Sequence, residues 1–134
     1  MYHDNKYKKK GNRMSYFPFF KEIEGEKCLV IGGGKVAARK ISRLKGFGVK
    51  IKVVAPSIVS DIEAVVQACD NISVERRIFT PQDIENADFV IAAAGEEVDK
   101  GAARLCKEKG IPVNVVDNQE LCDFIFPSIV QKGD

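Results

Sequence analysis

Lys27-Cys28-Leu29-Val30-Ile31-Gly32-Gly33-Gly34-Lys35-Val36-Ala37 is the stretch that decides the fold. Cys28 to Ile31 form a short apolar run of the kind found in a strand buried on both faces. Three glycines interrupt it. Ala37, Ile41 and Leu44 then recur at helical spacing. The reading is strand, tight glycine turn, helix, with G-x-G-x-x-A formed by Gly32, Gly34 and Ala37 across the junction. In such a unit the first glycine allows the turn, and the second lets backbone approach a pyrophosphate. The small third residue lets helix and strand pack closely. The helix N-terminus offers free N–H groups and a partial positive charge to the phosphates. The pattern therefore points to dinucleotide binding. The competing reading is a glycine-rich turn in an α/β domain that holds no ligand.

Working outward, strands and helices alternate. Phe17-Pro18-Phe19-Phe20 reads as an apolar lead-in packed on the sheet edge, and Gly25-Glu26 as a turn before strand one. Helix one spans about Lys35 to Lys45, stopped by Gly46 and Gly48. Lys50–Val54 is strand two. Ala55-Pro56-Ser57 ends it, with Ser57 as cap of a helix reaching about Ala68. Ile72–Arg76 is strand three. Thr80 caps a short helix begun by Pro81, and Ala87–Ala94 is a central strand four. A helix over Glu97–Lys109 turns Val98, Ala102 and Leu105 inward and is closed by Gly110. Val113–Val116 is strand five, and Phe124–Val130, interrupted by Pro127, is strand six. Such alternation predicts an α/β fold of one domain: a Rossmann-type, doubly wound parallel sheet in the order 3-2-1-4-5-6. Its ligand lies at the carboxyl edge, by the switch point between strands one and four.

Composition agrees. A chain of 134 residues, 45% hydrophobic, suits one domain with a real core. No apolar run is long enough to cross a bilayer, and no signal peptide is visible, so no membrane partner is expected. Cys28, Cys69, Cys106 and Cys122 are widely spaced without a C-x-x-C pair, and the only histidine is His3. That argues for reduced thiols in the cytoplasm and against a metal site.

The net charge of +2 hides an asymmetry. Of 21 basic and 19 acidic residues, five and one lie in residues 1–13 (Lys6, Lys8, Lys9, Lys10, Arg13; Asp4), leaving 16 and 18. Residues 1–13 read as a disordered basic tail, with 14–134 as the NAD-binding domain and Met14 as an alternative start. A nucleic-acid role is not expected. From Lys27 to Ser60 there is no acid, against Lys27, Lys35, Arg39, Lys40, Arg43, Lys45, Lys50 and Lys52. Most of these suit a solvated helix face. Together they also set up a positive field beside the cofactor site that would draw in a polyanionic substrate.

Two positions bear on chemistry. About 20 residues past the glycines, where an acid usually binds the ribose of NAD, stands Val54-Ala55-Pro56-Ser57, with no arginine for a 2′-phosphate. NAD and NADP are both open on these residues. Histidine is essentially absent, so acid–base work falls to carboxylates, lysines or cysteines. Asp117 follows the apolar strand Val113–Val116 and so stands at the ligand edge. It is either a base near a nicotinamide or a cap for the turn Asn118-Gln119-Glu120. Cys122 has no histidine partner and reads as a small buried hydrophobe.

Five segments in order and spacing carry a more specific signal: Val30 to Lys40, Val53-Val54-Ala55-Pro56, Val90 to Ala94, Asn114-Val115-Val116-Asp117 and Leu121 to Ser128. Together they resemble the precorrin-2 dehydrogenase family, the amino-terminal domain of siroheme synthases, over roughly residues 16–133. The resemblance implies NAD-dependent oxidation of precorrin-2 to sirohydrochlorin. In some members it also implies insertion of ferrous iron. It implies catalysis by Asp117 and cofactor contacts from Gly32, Gly33, Gly34, Lys35, Val36, Pro56, Ser57, Ala93 and Ala94. It departs from the family where relatives have A-A-T, since this chain has Ala93-Ala94-Gly95. The expectation is also of a chain lacking the family's helical dimerisation segment and carboxyl-terminal region, with a homodimer formed by the longer members. The rival from another class is a non-catalytic NAD-binding regulatory module.

Overall fold

A computed structural model describes residues 17–126. The expected basic tail, residues 1–13, and the end of the expected strand six, 127–130, lie outside the described residues. The elements run β1 (Lys27–Ile31), α1 (Lys35–Leu44), β2 (Lys50–Val54), α2 (Ser60–Ala68), β3 (Ile72–Glu75), a 3-10 turn (Pro81–Ile84), β4 (Phe89–Ala92), α3 (Glu96–Lys109), β5 (Val113–Val115) and a second 3-10 turn (Gln119–Leu121). All strands pair in parallel, in the order β3-β2-β1-β4-β5. This is the doubly wound order expected of the sequence.

Each sheet face has its own core, which is why β1 and β4 are apolar almost throughout. On one face Val30, Ile51, Val53, Ile72 and Ile91 pack under Ala37, Ile41 and Leu44 of α1 and Ile62 of α2. On the other, Leu29, Ile31, Val90, Val113 and Val115 pack under Ala102, Ala103 and Cys106 of α3 and Ile84. The second face is less covered over β2, where Lys50 and Lys52 alternate with the buried Ile51 and Val53. Helix α3 ends on Gly110 in the left-handed conformation (φ 72°), whose N–H donates to the Lys107 carbonyl.

Several local expectations are corrected. Ser57 does not cap α2; the cap position is Val59, and its N–H donates to the Gly33 carbonyl (2.9 Å). Val98 faces solvent; Ala102 is buried and Leu105 packs half-buried on the core as expected, joined by the buried Asp99, Ala103 and Cys106. Phe17, Phe19 and Phe20 are exposed rather than packed on the sheet.

Phe124–Phe126 carry no strand. The edge of β5 is instead closed by side chains. The Asp123 carboxylate accepts from Val113 N–H (3.1 Å) and the Cys122 sulfur from Val115 N–H (3.1 Å). The Val113 carbonyl in turn accepts from Asp123 N–H (2.8 Å), so the chain just after β5 engages this edge through both side chains and main chain.

Candidate functional site at the carboxyl edge of the sheet

The glycine turn connects β1 to α1 at the carboxyl edge. Gly32 has φ 124°, and a Cβ there would overlap the Ala93 carbonyl. Gly33 lies equally close to the Ser57 carbonyl. The first two glycines thus join the turn to the loops after β4 and β2. Gly34 differs: nothing lies within 4 Å of the Cβ it lacks, and it is exposed. Gly34 is also the cap position of α1, with no side-chain cap and no acid in the first turn. The first N–H groups of that helix have no intrahelical acceptor. An open glycine before an uncapped helix of ten residues fits a dinucleotide pyrophosphate. Gly34, Lys35 and Val36 are the residues that would hold it.

Pro56 and Ser57 are exposed just beyond β2, beside the turn. Ala93 borders the turn through its carbonyl. The Ala94 N–H is already engaged, since it donates to the Asp99 carboxylate (2.9 Å), which also accepts from Gly95 (3.3 Å). Asp99 is 2% exposed. Burial holds its carboxyl above the usual range, and the two N–H groups work against that. Asp99 escaped the sequence reading, although an acid in the first turn after Gly95 is the available signal for a side chain reaching back to cap a loop.

Asp117 lies past β5, with φ 60°, and is the one non-glycine residue of positive φ among the described residues. Aspartate tolerates this region better than most residues. The carboxylate makes no hydrogen bond to another described residue, and the following turn begins at Asn118 without a side-chain cap. The turn-cap alternative is therefore not seen. Asp117 instead lines two adjoining cavities. One, of about 410 Å³, is bordered by Val36, Ala93, Asp99 and Lys100. The other, of about 510 Å³, is bordered by Lys40, Asn114, Cys122 and Phe126. The structure thus brings Asp117, Val36 and Ala93 around one concavity. A larger hollow, about 830 Å³, opens over the starts of β1, β2 and β3. It lies at the opposite edge from the glycine turn and holds the ion-paired Arg77 and Asp83, so the carboxyl edge remains the candidate site.

The second cavity holds two residues to which the sequence reading gave no catalytic role. Cys122 is half-buried and not merely apolar: its thiol donates to the Val115 carbonyl (3.2 Å) while its sulfur accepts from Val115 N–H. Lys40 places Nζ 4.2 Å from the centre of the Phe126 ring. Partial burial, then Arg43 and Arg39, hold its ammonium below the ordinary lysine value, against the opposing influence of Cys122 and Asp117.

Among the described residues no helix is long and apolar enough to cross a membrane. Residues 19–128 match a family described as NAD(P)-binding. A siroheme synthase of Nitrosomonas eutropha is 42% identical over 121 residues, covering 90% of this chain and 25% of the relative. One of Thioalkalivibrio sulfidiphilus is 40% identical, covering 90% and 24%. The chain thus spans about a quarter of the length of these relatives. The solved structure of SirC, a precorrin-2 dehydrogenase, superposes with a TM-score of 0.70 at 23% identity, over 84% of this chain and 55% of that one, and so shares the fold. These relatives bear out the resemblance carried by the sequence motifs. Matched by the family model from the apolar lead-in to beyond the last strand, this chain belongs to the NAD(P)-binding family.

Proposed function

We propose that this chain is an NAD-dependent dehydrogenase domain that oxidises precorrin-2 to sirohydrochlorin, with Asp117 as its acid–base residue. The observation that carries the reading is the position of Asp117. Its carboxylate borders both a cavity reaching Val36 at the start of α1 and a second cavity lined by Lys40. A group so placed can face a cofactor on one side and a substrate on the other. The siroheme synthase relatives supply the substrate class.

Bound NAD supplies the hydride acceptor. The chain's own residues do the rest. Gly34, Lys35 and Val36 orient the pyrophosphate through backbone N–H groups. Ala93, held against Gly32, and Ala94, held by Asp99, form the opposite lip of the crevice. Pro56 and Ser57 border the ribose side. Asp117 takes the proton that leaves the ring as the hydride departs. Its carboxylate is free of protein donors among the described residues, so its lone pairs remain available. NAD is preferred to NADP on the family resemblance. The protein is taken to work in the cytoplasm, without nucleic-acid or membrane partners, and as a homodimer in its longer form.

Incubating the protein with precorrin-2 and NAD and following the sirohydrochlorin absorption tests the reading. Turnover that requires both compounds supports it. NAD binding without turnover and without tetrapyrrole binding would favour the regulatory module instead.

A further inference from the structure

We propose that Lys40 anchors a peripheral carboxylate of the tetrapyrrole, so that the reacting ring atoms come to rest beside Asp117. The proposal rests on the dehydrogenase reading above and assigns a specificity-determining residue within it.

Three observations carry it. Lys40 and Asp117 line the same cavity of about 510 Å³ at the carboxyl edge, on α1 and after β5 respectively. The Lys40 ammonium sits over the Phe126 ring at 4.2 Å, and no ion pair joins it to a carboxylate among the described residues. Its charged neighbours are mostly of like sign: Arg43 lies 5.8 Å from the same ring, and Arg39 adds its charge. A ring face satisfies an ammonium only in part. A partly desolvated cation crowded by two others is stabilised most by an incoming anion. Asp117 is the acid that acts on it, weakly, from across the cavity.

Three other basic residues of the acid-free stretch lie elsewhere. Lys52 is paired with Glu75 at the far part of β2. Lys27 and Lys50 border the hollow at the amino-terminal edge.

The test is binding of sirohydrochlorin, followed by its absorbance change, to the parent protein, Lys40→Met and Lys40→Arg. NAD affinity and thermal melting are measured on the same samples. Lys40→Met keeps an unbranched side chain of similar reach and removes the charge. It should weaken tetrapyrrole binding about tenfold, the worth of one charge-assisted contact, and lower the salt dependence of that binding. NAD affinity should hold, and Lys40→Arg should recover most of the loss. Equal binding by Lys40→Met, or equal loss in Met and Arg variants, overturns the assignment of Lys40 while leaving the dehydrogenase reading standing. A parent protein that binds NAD but no sirohydrochlorin overturns both.

Discussion

The Cβ that Gly32 lacks would overlap the carbonyl oxygen of Ala93. These residues are 61 apart in sequence, and their contact sets the distance between the glycine turn after β1 and the loop after β4. Those two loops are the lips of the crevice at the switch point of the sheet. The backbone there is held by a main-chain bond as well, Ala93 N–H to the Ile31 carbonyl at 2.7 Å.

Gly32→Ala should therefore lower stability by about 2–4 kcal/mol, through a strained φ and a backbone overlap that no rotamer relieves. Urea unfolding followed by circular dichroism measures it. A loss below about 0.5 kcal/mol would mean the two loops separate freely.

Gly34→Val should behave in the opposite way. The φ of −93° suits any residue, and the added side chain meets open space. Melting should move by only a few degrees, within the usual range for a cap substitution. NAD affinity, read by calorimetric titration, should fall at least about tenfold, because the side chain enters the space left for the pyrophosphate.

Asp117→Asn tests the base without disturbing the turn. Asparagine accepts the left-handed conformation that alanine resists, so the backbone at φ 60° is preserved. The kcat for precorrin-2 oxidation should fall about 10²–10⁴-fold with NAD affinity unchanged. A near-parent rate would remove Asp117 from the chemistry.

Asp83 gives a pH-dependent prediction away from the site. Arg77 donates to it at 2.6 and 3.0 Å, and Thr80 N–H at 2.8 Å. The Arg77 guanidinium, foremost, holds the Asp83 carboxyl below its usual range. A depressed folded-state pKa contributes stability that is present above the unfolded value and lost as pH falls through the folded one. Asp83→Asn should cost about 1–2 kcal/mol at neutral pH. That cost should shrink steadily once the pH drops below the ordinary carboxylate range, as denaturant midpoints across pH would show.

The order of elements was legible along the chain because local physics writes it there. Cys28 to Ile31 and Phe89 to Ala92 are apolar throughout since both sheet faces are covered, and Lys50–Val54 alternates since one face is partly open. Gly110 stops α3 by the left-handed geometry only glycine takes easily. The three glycines with Ala37 pointed to the cofactor edge, and the end of β5 pointed to Asp117.

What tertiary structure decided is the assignment of roles within those signals. Gly32, Gly33 and Gly34 look alike in sequence; only their neighbours, the Ala93 and Ser57 carbonyls and open space, separate two closely packed positions from one open one. Phe124 to Phe126 carry no strand, and Asp123 and Cys122 spend their side chains on the edge of β5, a contact that β-propensity does not contain. Lys40 was one of eight cations in an acid-free stretch until the fold set it over Phe126 and opposite Asp117. Periodicity reports which face of an element is buried, but which charge meets which cavity depends on residues far apart in the chain, brought together only when the sheet is assembled.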